Sequence, residues 1–494
     1  MSSKMLVGWS QKNITPLKPS LLAGQFYERA AESVHDPITA TALALESVDK
    51  NGTASEQAIM ISCDLLLVEK HLQEGVRQQL KETLPDFDSK KLLVFATHVH
   101  TGPFTSIDEL AKFGGDLLKY PAKKEGYITP TEYSEFLIGR LCEAAAEAWS
   151  ERKPGGVSSE LGFAVVGYNR MVTYEDGTAR MYGQTDEIDF ESFGGTTDHG
   201  VEILYLWDES NELTGLAINV ACPSQIVEQK KYISADFWGE VRKELSKRYS
   251  KDLFVLAMTG AAGDQSPRDL TRRSTSFKEM NSEAGMAVIA ERIANAVDST
   301  ITSAKSKIKS NADFKHRVCD IDLPVRKVTY ADVKQAQLEY DKIIKEQKLN
   351  SRNKKKDENS DGDDLFHLVL YDGILARYRR QQDNPFYTME LHVMRIGDIA
   401  IATNPFELFL DYGLQIKARS KARQAFIIEL ACDCGLYLPT ARAVQGGGYS
   451  TYICNGFVGP EGGRLLVDHT VRLINELMKK DVTPETTGKK RRSV

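Results

Sequence analysis

Short apolar runs alternate with amphipathic helical stretches in the first half of the chain, and this alternation constrains the fold most. The apolar runs have the length of buried strands, and they cover 40–45, 59–66, 92–96, 201–206 and 216–222. Between them, 131–151 and 236–249 carry apolar residues at helical spacing. Strands that alternate with helices predict an α/β fold in which helices cover mixed β-sheets.

The second half of the chain continues this pattern. Gly397-Asp398 joins two β-prone runs, 389–395 and 399–403, in the way a hairpin turn does. A helix is expected to start near Phe406. The remaining predicted elements are strands at 253–258 and 426–430 and helices at about 280–304, 330–347 and 463–479.

Two segments have compositions that favour exposure to solvent. The stretch at about 348–364 is strongly charged and includes Asn353-Lys354-Lys355-Lys356-Asp357, so we expect a solvated loop insertion. The tail, 481–494, ends in Lys489-Lys490-Arg491-Arg492 and is expected to be a basic, disordered end. We expect 1–480 to form one catalytic domain.

Composition excludes several classes of partner. The 494 residues carry a formal net charge of -6, which gives no reason to expect nucleic acid, and no apolar run is long enough for stable membrane insertion. The seven cysteines are scattered, and the first residues lack the apolar core of a secretory signal. We expect a cytoplasmic protein that acts on a small-molecule substrate, or an exported one if a leader precedes this sequence.

The pair His98 and His100 is the strongest chemical signal. It follows the apolar run 92–95 and precedes the turn Thr101-Gly102-Pro103. On a continued strand, both imidazoles would point to the same face. The pair is equally compatible with a metal site, with a general base and its helper, and with two hydrogen-bonded histidines that cap the strand.

Four further positions are weaker signals on their own. Arg170 could clamp a carboxylate or an oxyanion but is as readily a surface ion pair. Cys222 follows a predicted strand, where a thiol is a metal ligand, a nucleophile or a core residue. Ser266 lies in a glycine-led turn that does not match the nucleophile elbow. Glu407 is predicted in the first turn of a helix, where the dipole favours a carboxylate.

The order of these motifs resembles that of the neutral ceramidases, zinc-dependent amidases that cleave the N-acyl bond of ceramide. His98 to Pro103 resembles the T-H-x-H-[ST]-G-P motif of the family. Tyr437 and Tyr449 match the spacing of two family tyrosines. The other matching segments are Gly8 to Pro16, Asn169-Arg170, Gly263 to Arg268 and Pro405-Phe406-Glu407.

The resemblance implies a Zn²⁺ site and a set of catalytic residues. His98, Glu407 and Tyr437 match three family zinc ligands, and aligning Pro223 places Cys222 at the fourth, where the family has histidine. A thiolate binds Zn²⁺ well but makes it a poorer Lewis acid. The implied catalytic residues are His100 for proton transfer, Arg170 and Tyr449 for the oxyanion, and Ser266 as nucleophile or water-orienting group.

The chain departs from the family at several points. Arg268 replaces an asparagine, and Gln445 to Tyr449 replaces a more acidic segment. The resemblance ends at about residue 475, so we expect the small C-terminal β-sandwich of the bacterial and animal ceramidases to be missing. Arg170, Arg268 and Lys230-Lys231 suggest a small polar or anionic substrate. Cys432-Asp433-Cys434 is compatible with a redox element or a buried turn, and we expect the turn.

These observations together predict a metal-dependent hydrolase of an amide or related acyl bond. Two alternatives stay open because a fold does not fix a reaction. One is a hydrolase of an ester or glycoside on the same scaffold. The other is a non-catalytic relative that binds a small molecule, with Cys222 as a packed thiol.

Overall fold

Two β-sheets packed face to face lie at the centre of the fold. The computed structural model describes residues 4–25, 27–49, 51–105, 125–352, 360–381 and 384–479. The first sheet is mixed, because its edge pairs are parallel and its inner pairs antiparallel. Its eight strands run in the order β14 (Phe254–Thr259), β12 (Leu213–Val220), β11 (Gly200–Asp208), β6 (Lys153–Phe163), β1 (Lys4–Asn13), β3 (Thr39–Val48), β4 (Ala54–Cys63) and β5 (Leu92–Ala96).

The second sheet contains the predicted hairpin. Its four strands run in the order β16 (Phe314–Pro324), β17 (Phe386–Ile396), β18 (Ile399–Thr403) and β20 (Gln424–Ile428). Gly397 has a φ of 62° in the turn between β17 and β18, a conformation that glycine adopts at little steric cost. The hairpin prediction is confirmed.

Helices cover the outer faces of both sheets. The helices of the described residues are α1 (Lys70–Thr83), α2 (Pro130–Ser150), α3 (Phe237–Arg248), α4 (Arg273–Glu279), α5 (Glu283–Lys305), α6 (Tyr330–Arg352), α7 (Ser360–Arg380), α8 (Leu410–Arg419), α9 (Ala441–Gly446) and α10 (Pro460–Leu477). Helices α1 and α2 pack on one end of the first sheet, α3 and α5 on its other end, and α8 and α10 on the second sheet. The predicted α/β architecture of helix-covered mixed sheets is confirmed.

Strand β3 shows why the strongest apolar runs were continuous. Its Ala42 and Ala44 belong to the core under α1 and α2, whereas Leu43 and Leu45 belong to the core between the two sheets. Side chains of a strand alternate between its faces, so a strand buried on both faces needs apolar residues at every position. The small alanines allow α2 to approach the sheet closely.

Short strands outside the two main sheets carry Ser266, Glu407 and Tyr437. They are β2 (Ser33–Val34) with β13 (Tyr232–Ile233), β7 (Tyr168–Asn169) with β15 (Gln265–Ser266), β19 (Phe406–Leu408) with β21 (Leu436–Leu438), and the ribbon of β8 (Met171–Tyr174), β9 (Ala179–Met181) and β10 (Phe190–Phe193).

One predicted segment differs from the structure, and another is not tested by it. The charged stretch at about 348–364 is helical at both ends, because α6 extends to Arg352 and α7 starts at Ser360; 353–359 lie outside the described residues. Helix formers such as Lys and Glu extend a helix without apolar contacts, which the loop prediction neglected. The tail 481–494 also lies outside the described residues, and the single-domain assignment stays a prediction.

Two further observations concern the cysteines and the character of the helices. All seven cysteines are free thiols, and six of them are buried. In the described part of the chain, no helix combines the length and the apolar character needed to cross a bilayer.

Candidate active site

The loop after β5 brings His98 and His100 together. The strand ends at Ala96, and His98 has a φ of 62°, so the two histidines do not share a strand face and that step of the prediction is wrong. The loop nevertheless places their rings 4.9 Å apart at an interplanar angle of 86°. The sequence pattern thus predicted the pairing of the imidazoles but not its cause.

His98 presents one ring nitrogen to Glu407. Its Nδ1 lies 2.9 Å from the carbonyl oxygen of Leu66. A carbonyl only accepts, so Nδ1 carries a proton, and in the neutral imidazole Nε2 keeps its lone pair. That Nε2 lies 3.5 Å from Oε2 of Glu407, and both side chains are nearly buried.

Glu407 and Tyr437 are neighbours across a short parallel strand pair. Glu407 lies in β19 rather than in the first turn of a helix, which begins only at Leu410, so the predicted helix start near Phe406 is wrong. In the register of β19 and β21, Glu407 stands opposite Tyr437. The Tyr437 hydroxyl donates a hydrogen bond to Glu407. Burial, and to a smaller extent the charge of this carboxylate, raises the pKa of Tyr437 well above its ordinary value.

Arg170 supplies a buried positive charge beside Tyr437. Its Nη2 donates to the Tyr437 hydroxyl at 3.1 Å and to the Gly263 carbonyl at 2.9 Å. Burial opposes this charge, but the surrounding Tyr437, Tyr182 and Glu407 outweigh it and raise the pKa of Arg170. Tyr449 packs edge-on against Tyr437, with ring centroids 5.7 Å apart, and also hydrogen-bonds to it.

His100 is held as a neutral imidazole with one unengaged nitrogen. Its Nδ1 donates to the Gly24 carbonyl at 2.9 Å, so Nε2 carries a lone pair. This Nε2 is buried without a hydrogen-bond partner. Burial, then the nearby His98 and Arg29, holds the pKa of His100 well below its ordinary value. The imidazole therefore stays neutral, and its Nε2 lone pair is the one site on the ring that can accept a proton.

Ser266 belongs to an adjoining polar network. Its Oγ accepts hydrogen bonds from the Tyr182 hydroxyl at 3.0 Å and from the backbone N–H of Arg268 at 3.2 Å. Arg268 pairs with Glu228 at 2.8 Å, and the second carboxylate oxygen of Glu228 lies 3.8 Å from Nδ1 of His100. This network links Ser266 to the histidine loop through Glu228.

Cys222 is not brought together with the other predicted ligands. Its side chain is fully buried in the apolar core beneath α3 and α5, and its thiol faces the carbonyl oxygens of Val166 and Pro223, each at 3.5 Å. Within the described ranges, His98, Cys222 and Glu407 do not form a group whose ligand atoms all lie within 4.8 Å of one another. Burial raises the pKa of the Cys222 thiol well above its ordinary value.

Three of the predicted ligands do fit a metal ion. His98 offers an unprotonated Nε2, Glu407 a carboxylate, and Tyr437 a hydroxyl beside the Arg170 guanidinium. The hydrogen bond from Nδ1 of His98 to a carbonyl is the outer contact that orients metal-binding imidazoles. Nitrogen and oxygen donors of this kind suit Zn²⁺.

Sequence reasoning missed three residues that support the site. Tyr182, which has a φ of 53°, lies far along the chain from Ser266. Glu228 links the serine network to His100. Arg29 donates to the carbonyl oxygen of His100 at 2.6 Å. No local pattern marks these residues, because their roles depend on contacts between distant segments.

The comparisons with known proteins establish the fold class. No protein-family model and no curated protein matches the sequence. Among solved structures, the chain is similar to neutral ceramidase from Pseudomonas aeruginosa, with a TM-score of 0.67 and 14% identity over 97% of this chain and 76% of that one. A structure described as ceramidase complexed with C2 matches with a TM-score of 0.67 and 14% identity, over 98% and 78% of the two chains.

The chain thus has the fold of the neutral ceramidases. The resemblance drawn from its motifs is confirmed at the level of the fold. The sequence is divergent, since it is only 14% identical to those of the two ceramidase structures.

Proposed function

We propose that this protein is a metal-dependent hydrolase of an amide or related acyl bond. The observation that carries the proposal is the convergence of His98, Glu407 and Tyr437 beside the buried cation of Arg170. These residues come from three distant parts of the chain, and their polar groups are buried together. Burying polar groups together costs stability, so such a cluster is typical of a functional site.

A metal ion bound by His98, Glu407 and Tyr437 would supply Lewis-acid polarisation of a carbonyl and acidify a bound water. The donor set contains a nitrogen and two oxygens, which suits Zn²⁺. Cys222 is left out of this set because its thiol lies in the core and faces two backbone carbonyls.

The residues of the chain supply the proton transfer and the charge stabilisation. The lowered pKa keeps His100 neutral, so its free Nε2 lone pair can accept a proton from an attacking nucleophile and return it to the leaving amine. Arg170 remains charged and is fixed by Gly263, so its guanidinium can stabilise a developing oxyanion without reorganisation. In this proposal Tyr449 donates to the same oxygen.

Ser266 has a supporting role in this proposal. The Tyr182 hydroxyl donates to Ser266 Oγ, and so does the N–H of Arg268. An oxygen that accepts two hydrogen bonds is oriented but also less nucleophilic. We therefore assign Ser266 to positioning a water rather than to direct attack.

We propose a small polar acyl compound as the substrate, because the residues proposed to act on it, His100, Arg170 and Tyr449, are polar. An anionic substrate has less support. Arg268 pairs with Glu228 at 2.8 Å, Lys230 lies 3.7 Å from Glu283, and Lys231 lies 3.5 Å from Glu32. Carboxylates thus already face these cations.

The experiment is metal analysis and turnover of His98→Ala with a panel of N-acyl amide, ester and glycoside substrates. We expect the variant to lose the metal of this site and its amidase turnover together, since it removes the only nitrogen donor of the proposed set. His469→Ala, on α10, is the matched control and should keep both. A His98→Ala protein that retains its metal and its rate would show that the site is wrongly assigned.

A further inference from the structure

A second group of ligand-type side chains lies where the second sheet meets β4 and α1. Glu390 and His392 are two residues apart in β17 and share one face of that strand. Cys432, in the connection between β20 and β21, faces them. One carboxylate oxygen, one imidazole nitrogen and the sulfur all lie within 4.8 Å of one another, and across the described residues this is the one such group of three. We call these three residues the inter-sheet cluster.

A chain of hydrogen bonds runs through this cluster. Nδ1 of His316 lies 3.1 Å from the carbonyl oxygen of Gln57, and its Nε2 lies 2.9 Å from Nδ1 of His392. Nε2 of His392 then lies 2.7 Å from Oε1 of Glu390. The two imidazoles thus make three hydrogen-bond links. Each link needs one proton, or another cation, between its two atoms.

Counting protons along this chain leaves one link unfilled. The Gln57 carbonyl only accepts, so Nδ1 of His316 carries a proton, and its Nε2 accepts from Nδ1 of His392. If both imidazoles are neutral, Nε2 of His392 has no proton. Its lone pair then faces a carboxylate oxygen of Glu390 at 2.7 Å. Two buried acceptors in contact repel each other, so the third link holds either a further proton or a metal cation.

The geometry of the cluster favours a metal cation over a proton in that link. A third donor, the Cys432 sulfur, is present at the same point.

We propose that the inter-sheet cluster is a metal-binding site of its own, separate in its ligands from the candidate active site. Nε2 of His392, a carboxylate oxygen of Glu390 and the sulfur of Cys432 are the ligands. A nitrogen, oxygen and sulfur set of this kind selects a borderline divalent cation, Zn²⁺ above all. The cation takes the place of the missing proton in the hydrogen-bond chain.

The residues around the cluster already hold its ligands in place. Nδ1 of His392 donates to His316, which in turn donates to Gln57, so the free nitrogen of His392 is fixed. Arg77 binds both oxygens of Glu390, at 2.6 and 2.8 Å, and orients the carboxylate. Such outer contacts orient the ligands of metal sites.

Metal binding here includes one proton release. Burial raises the pKa of the Cys432 thiol above its ordinary value, so the thiol is protonated without a metal. Forming the sulfur–metal bond breaks the S–H bond, and the proton leaves to solvent while the electron pair stays on sulfur. Affinity should therefore rise with pH.

The test uses Co²⁺ as the probe, because sulfur-to-cobalt charge transfer gives a near-ultraviolet band that nitrogen and oxygen ligands do not give. We expect the full chain, stripped with a chelator and loaded with Co²⁺, to show this band. Cys432→Ser should lose it and should bind about one equivalent of metal less than the wild type. Cys222→Ser and Cys319→Ser are the matched thiol controls and should keep it.

Two further measurements separate this site from the candidate active site and from a folding defect. His98→Ala should retain the cobalt–sulfur band even where it removes the metal of the proposed catalytic site. X-ray absorption of the zinc-loaded wild-type chain needs no variant and should show sulfur at roughly 2.3 Å from zinc. The proposal is overturned if the wild type shows neither sulfur signal at saturating metal, in which case a proton fills the link. It is equally overturned if Cys222→Ser, and not Cys432→Ser, abolishes the band.

Discussion

Replacing Arg29 tests how far the candidate active site depends on one buried guanidinium. Arg29 is 1% exposed. Its Nη1 donates to the carbonyl oxygens of Glu228 at 2.6 Å and Lys230 at 3.0 Å, and its Nη2 donates to those of Ala23 at 2.5 Å and His100 at 2.6 Å. One side chain thus joins three loops, including the one that carries both site histidines.

The size of the effect follows from two opposing terms. A hydrogen bond to a charged group is worth roughly 1.5–3 kcal/mol, so four such bonds would sum to about 6–12 kcal/mol. Burying the guanidinium costs several kcal/mol, and the same burial lowers the pKa of Arg29. We expect Arg29→Met to lower the free energy of unfolding by about 3–5 kcal/mol, because one buried and three partly buried carbonyls lose their donor.

The assay is urea unfolding followed by both tryptophan fluorescence and circular dichroism, with the two midpoints required to coincide. Arg292→Met is the matched control, since Arg292 donates to the Val165 carbonyl at the surface and its loss should cost less than about 1 kcal/mol. If the free energy of unfolding of Arg29→Met lies within about 1 kcal/mol of the wild-type value, the four hydrogen bonds do not hold these loops together.

Three further predictions concern turnover of the acyl substrate found in the screen. Arg170→Met should lower kcat about 100-fold or more with little change in KM, measured by steady-state kinetics, because it removes charge that acts on the transition state. Gly24→Ala should lower kcat strongly and the melting temperature only slightly. The reason is that Gly24 has a φ of 95° and an added Cβ would lie 2.6 Å from Nδ1 of His100. Tyr182→Phe should lower kcat roughly fivefold, the value of one neutral hydrogen bond to Ser266, and an unchanged kcat would remove Ser266 from the mechanism.

The sheets and helices were predictable because their signals are local. Helix α2 is an example: Thr129 and Glu132 form a capping box at its start, Pro130 occupies its first position, and its apolar residues recur at helical spacing. The strands of the main sheets were equally clear, since burial on both faces leaves continuous apolar runs.

The geometry of the site was less predictable because it depends on contacts between distant segments. The strand before His98 ends at Ala96, and the positive φ of His98 is set by the surrounding loops. Glu407 lies in a three-residue strand that exists only because it pairs with β21. For Cys222, alignment on Pro223 fixed the position in the chain but not the direction of the thiol, which points into the core.

The parallel pair of β19 and β21 has a consequence for how the protein matures. Glu407 and Tyr437 become neighbours only when β21 docks beside β19. During synthesis, both histidines, Arg170 and Ser266 leave the ribosome long before that strand exists. A growing chain therefore holds these four polar residues before their partners exist, and the proposed metal site would form only late in folding, after the second sheet has closed over the first.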